Sequence, residues 1–539
     1  LPFHLGAIFS FTDGQNFPPE NPSYAFAKFS YPFMADLVTA SLVALSAKVR
    51  EALLVQNVFL AFSLLVILER FTFKLTGSRL AGKIAPVLLF FSGGLGFLWF
   101  FKDFWQQTQG FFDFIRNLQH DYTTGDNFRW GNSLITLFVT QRSLLLGMPL
   151  TIIVLQKLWE VFNRDKGQGT RDELNYKTDT RPSSLATRHC FFVGLLAGTL
   201  PLIHVHSLVV LFVVSAFLFF FRADRWREWI AFGAGVSVLA VPELIWAMTG
   251  SATRLTEFVG WNFGWDLRGE NFIWFWLKNL GIFIPILIFG IYLTFNAKTQ
   301  RRKDAKEERE KNKSEIYNLK SKIEQSQIAN RKSQILFYIP FALCFVVANL
   351  VKLAPWEWDN IKVLIYWFVG SLPFAAFCLA WLWNKDRTFK IIAVGCLVAL
   401  TFSGALDVWR VASKQINYKV FDKDAVAVSE QIKQKTVPNA LFLNAPTYNS
   451  AVALSGRRSL MRYIGHLSSY GIDYQERETE VKKIYSGDPA AEIILKKYDI
   501  EYVLISPEEK SNLTVNEEFF RRFPIAAEAG QYRVYQVNK

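Results

Sequence analysis

Long apolar runs separated by short polar segments dominate the chain from about residue 53 to residue 410. Runs such as 335–350 and 391–408 approach the roughly 20 apolar residues that a helix needs to cross a bilayer core. The fold class that this pattern predicts is a polytopic α-helical membrane protein. We expect about ten spans, at 53–69, 80–101, 143–163, 189–204, 205–221, 228–249, 272–295, 334–352, 362–383 and 389–410.

The tail after residue 411 has a different pattern. Short β-prone runs, ALFLNAP, IEYVLIS and QYRVYQV, alternate with polar helical segments such as ERETEVKKIYSG. Strands separated by helices indicate a small α/β domain with an at least partly parallel sheet. We therefore expect three regions: a first extracytoplasmic loop with an interfacial helix (1–52), a transmembrane domain (53–410) with a basic cytoplasmic linker at 298–333, and a soluble extracytoplasmic domain (411–539).

The start of the chain reads as a short apolar stretch followed by a loop, FTDGQNFPPENP, and a further span is expected upstream of Leu1. The apolar segment 31–47 is near the lower length limit for spanning and carries Asp36. We favour a helix that lies at the membrane interface over one that crosses, because crossing would put the first loop on the cytoplasmic side.

Composition and charge support a membrane protein with a soluble part. The chain is 51% hydrophobic but also 20% charged, with a net charge of +14. Much of the positive charge lies between spans, as at Arg301, Arg302 and Lys303, which is the positive-inside pattern of cytoplasmic loops. We therefore expect a lipid bilayer and no nucleic acid as partner, and we place the loops 102–142, 250–271 and 353–361 and the tail outside the cytoplasm. All four cysteines lie in or beside apolar runs, so no disulfide framework is predicted.

The first loop holds the candidate catalytic residues. His4, Asp13 and Glu20 are ionisable groups near prolines and a TDG turn that restrict the backbone. One interpretation is a solvated loop. The other is that nearby membrane helices place these groups at the mouth of a cavity.

The candidate phosphate-binding residues are polar groups near the ends of spans and a basic cluster in the tail. Asp359, Asn360 and Lys362 open one span, where charge is costly unless it is paired or functional, and Arg142 opens another. Lys362 either snorkels or pairs with Asp359, or it receives a phosphate near a helix N-terminus. Arg457, Arg458 and Arg462 either face anionic groups or stabilise the domain surface.

His204 and His206 in PLIHVHS are the candidate metal ligands. A pair with this spacing binds a metal only if further ligands converge on it. The sequence has no GxxxxGK[ST], GxSxG or HExxH motif, so the common nucleotide, α/β-hydrolase and zincin sites are not predicted.

The whole arrangement resembles the polytopic glycosyltransferases of the GT-C fold, in a bacterial branch that takes sugars from polyprenyl-phosphate carriers. The resemblance rests on the acidic first loop, the helix after it, about ten spans and the tail with SGRRSLMRYIGH and KYDIEYVLIS. It implies a multi-pass protein of the bacterial inner membrane, with a polyprenyl-phosphate-linked sugar as donor and an extracytoplasmic lipid, glycan or protein as acceptor.

The resemblance also implies the site. A carboxylate in the first loop near the end of the first span is the expected general base or metal partner, and Asp13 is the nearest match, followed by Glu20 with His4 as companion. An acidic residue upstream of Leu1 is the other candidate. A divalent metal stays open as cofactor, with Asp13, Glu20, His204 and His206 as its ligand pool.

Two other classes of protein remain open. A transporter or flippase of an envelope glycolipid would line its path with the same intramembrane charges, although no inverted repeat is visible. A membrane scaffold without catalysis would use the tail to recruit partners. Loss of the first-loop acids would abolish an enzyme and leave a scaffold working.

Overall fold

The computed structural model describes residues 1–163, 182–249, 259–295 and 333–538. The predicted basic linker at 298–333 lies, except for its last residue, outside the described residues. The chain forms two compact units. The first contains Leu1–Val58, the described part of Pro242–Val259, and Asn417–Lys539, and the second contains Phe59–Val241 and Gly260–Ile416.

The part of the chain before the tail is mostly helical. Its helices are α1 (Pro2–Thr12), α2 (Met34–Ala44), α3 (Val49–Thr76), α4 (Arg79–Phe91), α5 (Gly96–Gln106), α6 (Phe111–Arg116), α7 (Arg142–Phe162), α8 (Pro182–Gly198), α9 (Val205–Phe221), α10 (Trp226–Met248), α11 (Phe272–Leu280), α12 (Phe283–Phe295), α13 (Ser333–Ala348), α14 (Ile361–Trp383) and α15 (Arg387–Ala412). A π-helical turn (Ser133–Phe138), two 3₁₀ turns (Ala223–Arg225 and Glu357–Asn360) and a two-stranded ribbon of β1 (Gly260–Trp261) and β2 (Val351–Lys352) complete it.

Among the described residues, five helices are long and apolar enough to cross a membrane, or up to seven spans if each of two bent pairs counts as one. The five are α3, α7, α10 with the turn before it, α14 with the turn before it, and α15. The protein is thus a multi-pass membrane protein. Helices α8, α9 and α13 also lie at predicted spans but are shorter, so the count of ten stays a prediction.

The predicted spans 80–101 and 272–295 each correspond to a bent pair of helices. Helices α4 and α5 meet at 54°, and α11 and α12 meet at 86°. The two bends pack together: the Leu95 N–H donates to the Lys278 carbonyl at 2.9 Å, and a Cβ on Gly94 would lie 2.1 Å from that oxygen. Only glycine permits this close approach. Gly281, at the second bend, has φ +60°, which also favours glycine.

A buried carboxylate holds the polar segment before Ser133 against α15. Asp407 is 2% exposed and accepts hydrogen bonds from the backbone N–H groups of Tyr122, at 2.6 Å, and Thr123, at 2.9 Å. The Thr123 hydroxyl donates a third, at 2.5 Å. A buried carboxylate with three donors is well satisfied, and it replaces water for two loop N–H groups that would otherwise be unpaired.

The start of the chain is helical, which corrects the predicted loop. Pro2 occupies the first turn of α1, where its fixed φ favours the helix and its missing N–H costs nothing. Phe3, Ala7 and Ile8 are buried on this helix, so tertiary packing stabilises a segment too short to be stable by itself. Helix α2 has 11 residues, fewer than spanning needs. Its interfacial placement stays a prediction.

The tail folds into a mixed α/β domain, as its alternating pattern predicts. Its sheet contains β3 (Leu441–Leu443), β4 (Arg458–Ser459), β5 (Tyr502–Ile505), β6 (Ile525–Ala529) and β7 (Tyr532–Gln536), in the order β4-β3-β5-β7-β6. Strands β4, β3 and β5 are parallel, and β7 pairs antiparallel with β5 and β6. Its helices are α16 (Lys423–Lys435), α17 (Val452–Ser455), α18 (Ile464–Ser469), α19 (Gln475–Ser486), α20 (Ala491–Lys497), α21 (Pro507–Asn512) and α22 (Glu517–Arg521).

The first loop is part of this same unit. Its backbone pairs with the edge strand β4: the Ala25 N–H donates to the Ser459 carbonyl at 3.1 Å, and the Ser459 N–H donates to the Pro22 carbonyl at 3.2 Å. Tyr24 and Ala25 are buried in the core on one face of the sheet. The Arg477 guanidinium lies 3.8 Å from the centre of the Tyr24 ring and bonds the Ala25 carbonyl at 2.9 Å. The loop therefore covers a sheet edge that would otherwise be exposed.

We expect Asp407→Asn to lower the free energy of unfolding by about 1–3 kcal/mol, because the new amide N–H₂ group cannot accept from these donors. Asp121→Asn is the matched control. Asp121 lies in the same segment, is 32% exposed and pairs with Arg410 at 2.8 Å, so its loss should cost less than about 1 kcal/mol. Thermal unfolding in detergent measures both, and equal losses would contradict the role of Asp407.

Candidate functional site

The first loop places an imidazole against a buried carboxylate. His4 on α1 has its Nδ1 atom 3.0 and 3.1 Å from the two carboxylate oxygens of Asp36, in the first turn of α2. Asp36 is 1% exposed and His4 is 15% exposed. A carboxylate at Nδ1 favours the tautomer with the proton on that atom and leaves the lone pair on Nε2. The contact thus fixes the orientation of the imidazole ring.

Asp13 lies at the C-terminal end of α1, where a negative charge is disfavoured by the helix dipole. The Thr12 hydroxyl donates to its Oδ2 atom at 2.6 Å, and the Lys433 ammonium lies 3.8 Å from Oδ1. The side chain is 31% exposed. The carboxylate is therefore held in place but remains accessible to a substrate.

Glu20 is paired within the same unit. Its Oε2 atom lies 3.3 Å from the Arg458 Nη1 atom. The Asn16 side chain bonds both backbone groups of Glu20, at 2.7 and 2.9 Å, and so fixes this turn. Arg458 also donates to the Asn439 carbonyl at 2.8 Å. Glu20 and Arg458 therefore form an ion pair between the loop and the sheet domain.

Arg457 is a structural clamp in this geometry. The residue is 2% exposed, and its five N–H groups donate to the carbonyls of Asp13, Ser455, Lys433 and Thr436 and to the Thr436 hydroxyl, at 2.8–3.1 Å. Burial lowers its pKa below the usual value for arginine. Because all five donors are used, no donor remains for the phosphate that the sequence suggested, unless the clamp opens.

In the second unit, the starts of α9 and α14 bring the other candidates together. The Lys362 ammonium is 3.1 Å from the Asp359 carboxylate, so the predicted pair is present. It interacts electrostatically with the imidazoles of His204 and His206, whose ring centres lie 5.3 Å apart. Arg142 is the first residue of α7 and is 4% exposed.

A chain of hydroxyl groups orients His204. The residue is 5% exposed, its Nδ1 atom is 2.8 Å from the Ser207 hydroxyl, and that hydroxyl bonds the Tyr366 phenol. The Nε2 atom is buried without a hydrogen-bond partner. A buried nitrogen without a hydrogen-bond partner destabilises the folded protein by roughly 1–3 kcal/mol. A polar ligand that donates a hydrogen bond to this atom would remove that penalty.

Asn360 has a structural role. It is 1% exposed; its amide donates to the carbonyls of Ala348 and Val351, at 2.8 and 2.7 Å, and its oxygen accepts from the Leu353 N–H at 2.9 Å. These bonds hold the turn between α13 and α14, and so position Lys362 and Asp359 indirectly.

The described residues contain no group of three or more His, Cys, Asp or Glu side chains that could hold a metal ion. His204 and His206 supply two ligands, fewer than the three or four protein ligands of most zinc sites. In the part of the chain that the structure describes, the residues therefore do not fit a metal.

The sequence did not identify two residues that interact with the candidate groups of the first unit, Asp36 and His466. The sequence places Asp36 in the apolar segment 31–47 but does not identify it as the partner of His4. An acidic residue within an apolar helix was the available signal. His466 gave no signal, because only the fold packs it at 5.0–5.3 Å, between ring centres, from Phe3, Tyr448 and Tyr463.

Burial lowers the pKa of His466 to about 4, from an ordinary value near 6.5. The unfolded chain therefore binds a proton at higher pH than the folded one. We expect the free energy of unfolding to fall as the pH falls from about 6.5 to about 4 and then to level off. Thermal unfolding between pH 4 and 8 measures this.

His466→Gln should flatten that pH dependence, because the glutamine side chain does not titrate. Identical pH profiles for wild type and His466→Gln would contradict the assignment.

No protein-family model and no curated protein matches this sequence. Among solved structures, the chain is similar to the apo form of the Archaeoglobus fulgidus oligosaccharyltransferase, with a TM-score of 0.51 and 11% identity, over 94% of this chain and 66% of that one. This similarity shows the fold, and it confirms the GT-C-type architecture that the sequence predicts.

Two further structures of the oligosaccharyltransferase from that organism match with a TM-score of 0.49 and 11% identity, over 94% of this chain. One is AglB in complex with an inhibitory peptide and a dolichol-phosphate, matched over 66% of its length. The other is tethered to an acceptor peptide containing the NVT sequon and is matched over 65%. The chain thus spans just under two thirds of the length of these proteins.

Proposed function

We propose that this protein is a membrane glycosyltransferase that moves a sugar from a polyprenyl-phosphate carrier to an extracytoplasmic acceptor. One observation supports the proposal: a chain with a GT-C-type fold carries the Asp13 carboxylate at the end of an apolar helix in the first loop. This carboxylate is fixed by Thr12 and Lys433 and is 31% exposed. We also propose that the protein lies in a bacterial inner membrane, with its first loop and tail domain outside the cytoplasm.

Asp13 is the proposed general base. Its carboxylate takes the proton from the acceptor hydroxyl or amide while the acceptor atom forms a bond to the anomeric carbon. The bond from that carbon to the carrier phosphate breaks, and the phosphate leaves with the electron pair. A single displacement inverts the anomeric configuration. The imidazole of His4, oriented by Asp36, is the companion base in the same unit.

Phosphate recognition is proposed for Lys362, with Arg142 as a second cation. Lys362 is 22% exposed and is the second residue of α14, where the helix N-terminus adds to the attraction for an anion. The unpaired Nε2 atom of His204 is the neighbouring polar group. Cations placed where negative charge develops on a leaving phosphate lower the barrier to transfer.

We expect Asp13→Asn to reduce sugar transfer by about 10²–10⁴-fold, the usual contribution of a general base. The assay uses full-length protein in nanodiscs, radiolabelled polyprenyl-phosphate sugars and a membrane extract as acceptor. Glu20→Gln is the matched control, since Glu20 is an acidic residue of the same loop held in an ion pair with Arg458, and it should retain transfer within a few fold.

Transfer that survives Asp13→Asn unchanged would exclude Asp13 as the base. Failure of the wild-type protein to transfer any sugar of the panel would reject the glycosyltransferase proposal and favour a transporter or a scaffold.

We expect Lys362→Met to reduce transfer by about 10–100-fold, because a hydrogen bond to a charged group contributes about 1.5–3 kcal/mol. Lys352→Met is the control: Lys352 precedes the same polar turn and pairs with Glu357 at 3.9 Å. Rates at varied donor concentration measure the effect on KM and kcat. Equal losses in both variants would indicate a general charge effect rather than phosphate recognition.

A further inference from the structure

The turn that follows β3 lies at the position where parallel α/β sheets bind ligands. From β3 the chain passes through α17 to β4 on one side, and from β4 it returns through α18, α19 and α20 to β5 on the other side. The strand order therefore reverses between β3 and β5. Ligands of open α/β sheets bind outside the carboxyl ends of the strands at such a switch point.

The turn is anchored from the β5 side. Glu509, which is fully buried, accepts a hydrogen bond from the Ala445 N–H at 2.9 Å, and its other oxygen accepts from the Ser506 hydroxyl. Both carboxylate oxygens are therefore used within the protein. The turn is held in a defined conformation, and its remaining polar groups are pre-positioned.

Unsatisfied polar atoms concentrate at this turn. Among the described residues of 417–538, every buried side-chain nitrogen or oxygen without a hydrogen-bond partner belongs to the turn or to Arg462 beside it. These atoms are Asn444 Oδ1, Thr447 Oγ1, Asn449 Oδ1, Ser450 Oγ and Arg462 Nη1. Asn444, Ser450 and Arg462 are 0%, 1% and 5% exposed. Because a buried polar atom without a hydrogen-bond partner destabilises the folded protein, these atoms require hydrogen-bond partners from outside the turn.

The chemistry of these groups fits sugar hydroxyls. Two amide oxygens accept, two hydroxyls both donate and accept, and one guanidinium –NH₂ group donates. A hard cation would need free carboxylates, which Glu509 does not supply, and a phosphate would need more than one cation. A sugar hydroxyl can both donate and accept, so a polyhydroxylated ligand can satisfy the whole set.

Aromatic rings lie next to the turn. Tyr448, which is part of it, is 42% exposed, and its ring centre is 5.4 Å from that of Tyr463, which is 39% exposed. Both rings also contact His466, at 5.3 and 5.2 Å. Aromatic walls with a few polar groups are typical of small-molecule sites, and exposed rings offer an apolar surface to the C–H face of a sugar.

We propose that the turn 444–450, with Arg462 and the rings of Tyr448 and Tyr463, is a saccharide-binding subsite of the tail domain. Asn444, Asn449 and Ser450 bind hydroxyl groups of the sugar, and Tyr448 packs against its ring. The binding itself is independent of the transfer reaction. We also assign the bound glycan as the acceptor of the transfer reaction, and this assignment alone rests on the proposed function.

The test is saturation-transfer NMR and calorimetric titration of full-length protein in nanodiscs with three neutral probes: mannotriose, galactotriose and chitotriose. We expect at least one to bind. Asn449→Ala and Tyr448→Ala should each weaken its binding by about 10-fold or more, the equivalent of 1.4 kcal/mol. Asn439→Ala is the matched control, because this exposed asparagine precedes the amino end of the same strand, β3.

Binding of none of the three probes would overturn the proposal. Equal binding by wild type, Asn449→Ala and Tyr448→Ala would overturn it too, and would leave ordered water as the complement of the polar atoms. Thermal unfolding confirms that each variant is folded, and Tyr448→Ala changes an exposed side chain if Asn449→Ala is unstable. The Asp13→Asn variant separates this proposal from the proposed function. We expect it to bind the saccharide probe as the wild type does, whatever its rate of sugar transfer.

Discussion

The first unit depends on hydrogen bonding between two parts of the chain that are more than 400 residues apart in sequence. The backbone of the first loop completes the edge of the tail-domain sheet, and the Arg457 guanidinium joins the carbonyl at the end of α1 to carbonyls and a hydroxyl of the sheet domain. A buried guanidinium is costly unless every donor is satisfied. Its five bonds meet that condition, so the position of Asp13 is set by the tail domain as well as by its own helix.

This arrangement explains why a carboxylate lies at a helix C-terminus, where the dipole opposes it. The cost is offset locally by the Thr12 hydroxyl and the Lys433 ammonium. Helix stability alone would not select an acidic residue there. Positions where a sequence departs from local preference and is compensated by tertiary contacts are often functional.

The second unit shows the same principle in an apolar environment. Arg142, His204 and Lys362 lie at or next to the starts of α7, α9 and α14. His204 is oriented by Ser207 and Tyr366, and Lys362 by Asp359. Asp407 uses a fixed carboxylate to pair loop N–H groups. Asp407 thus pairs backbone N–H groups, and Ser207, Tyr366 and Asp359 each position another polar side chain.

The sequence by itself determined the membrane character and the α/β nature of the tail, and it offered the pairing of Lys362 with Asp359 as one alternative, because hydrophobic periodicity and short-range spacing are local properties. It placed α1 in the first-loop region and gave the two bent helix pairs as single spans without their bends, since packing and close glycine contacts are set by distant residues. Arg457 and Asn360 also read as ligand-binding groups, because sequence does not reveal which acceptors surround a side chain. Only the tertiary structure brought Asp36 to His4, the first loop to β4, and the unpaired polar atoms to one turn, because these contacts join segments whose separation along the chain carries no local signal.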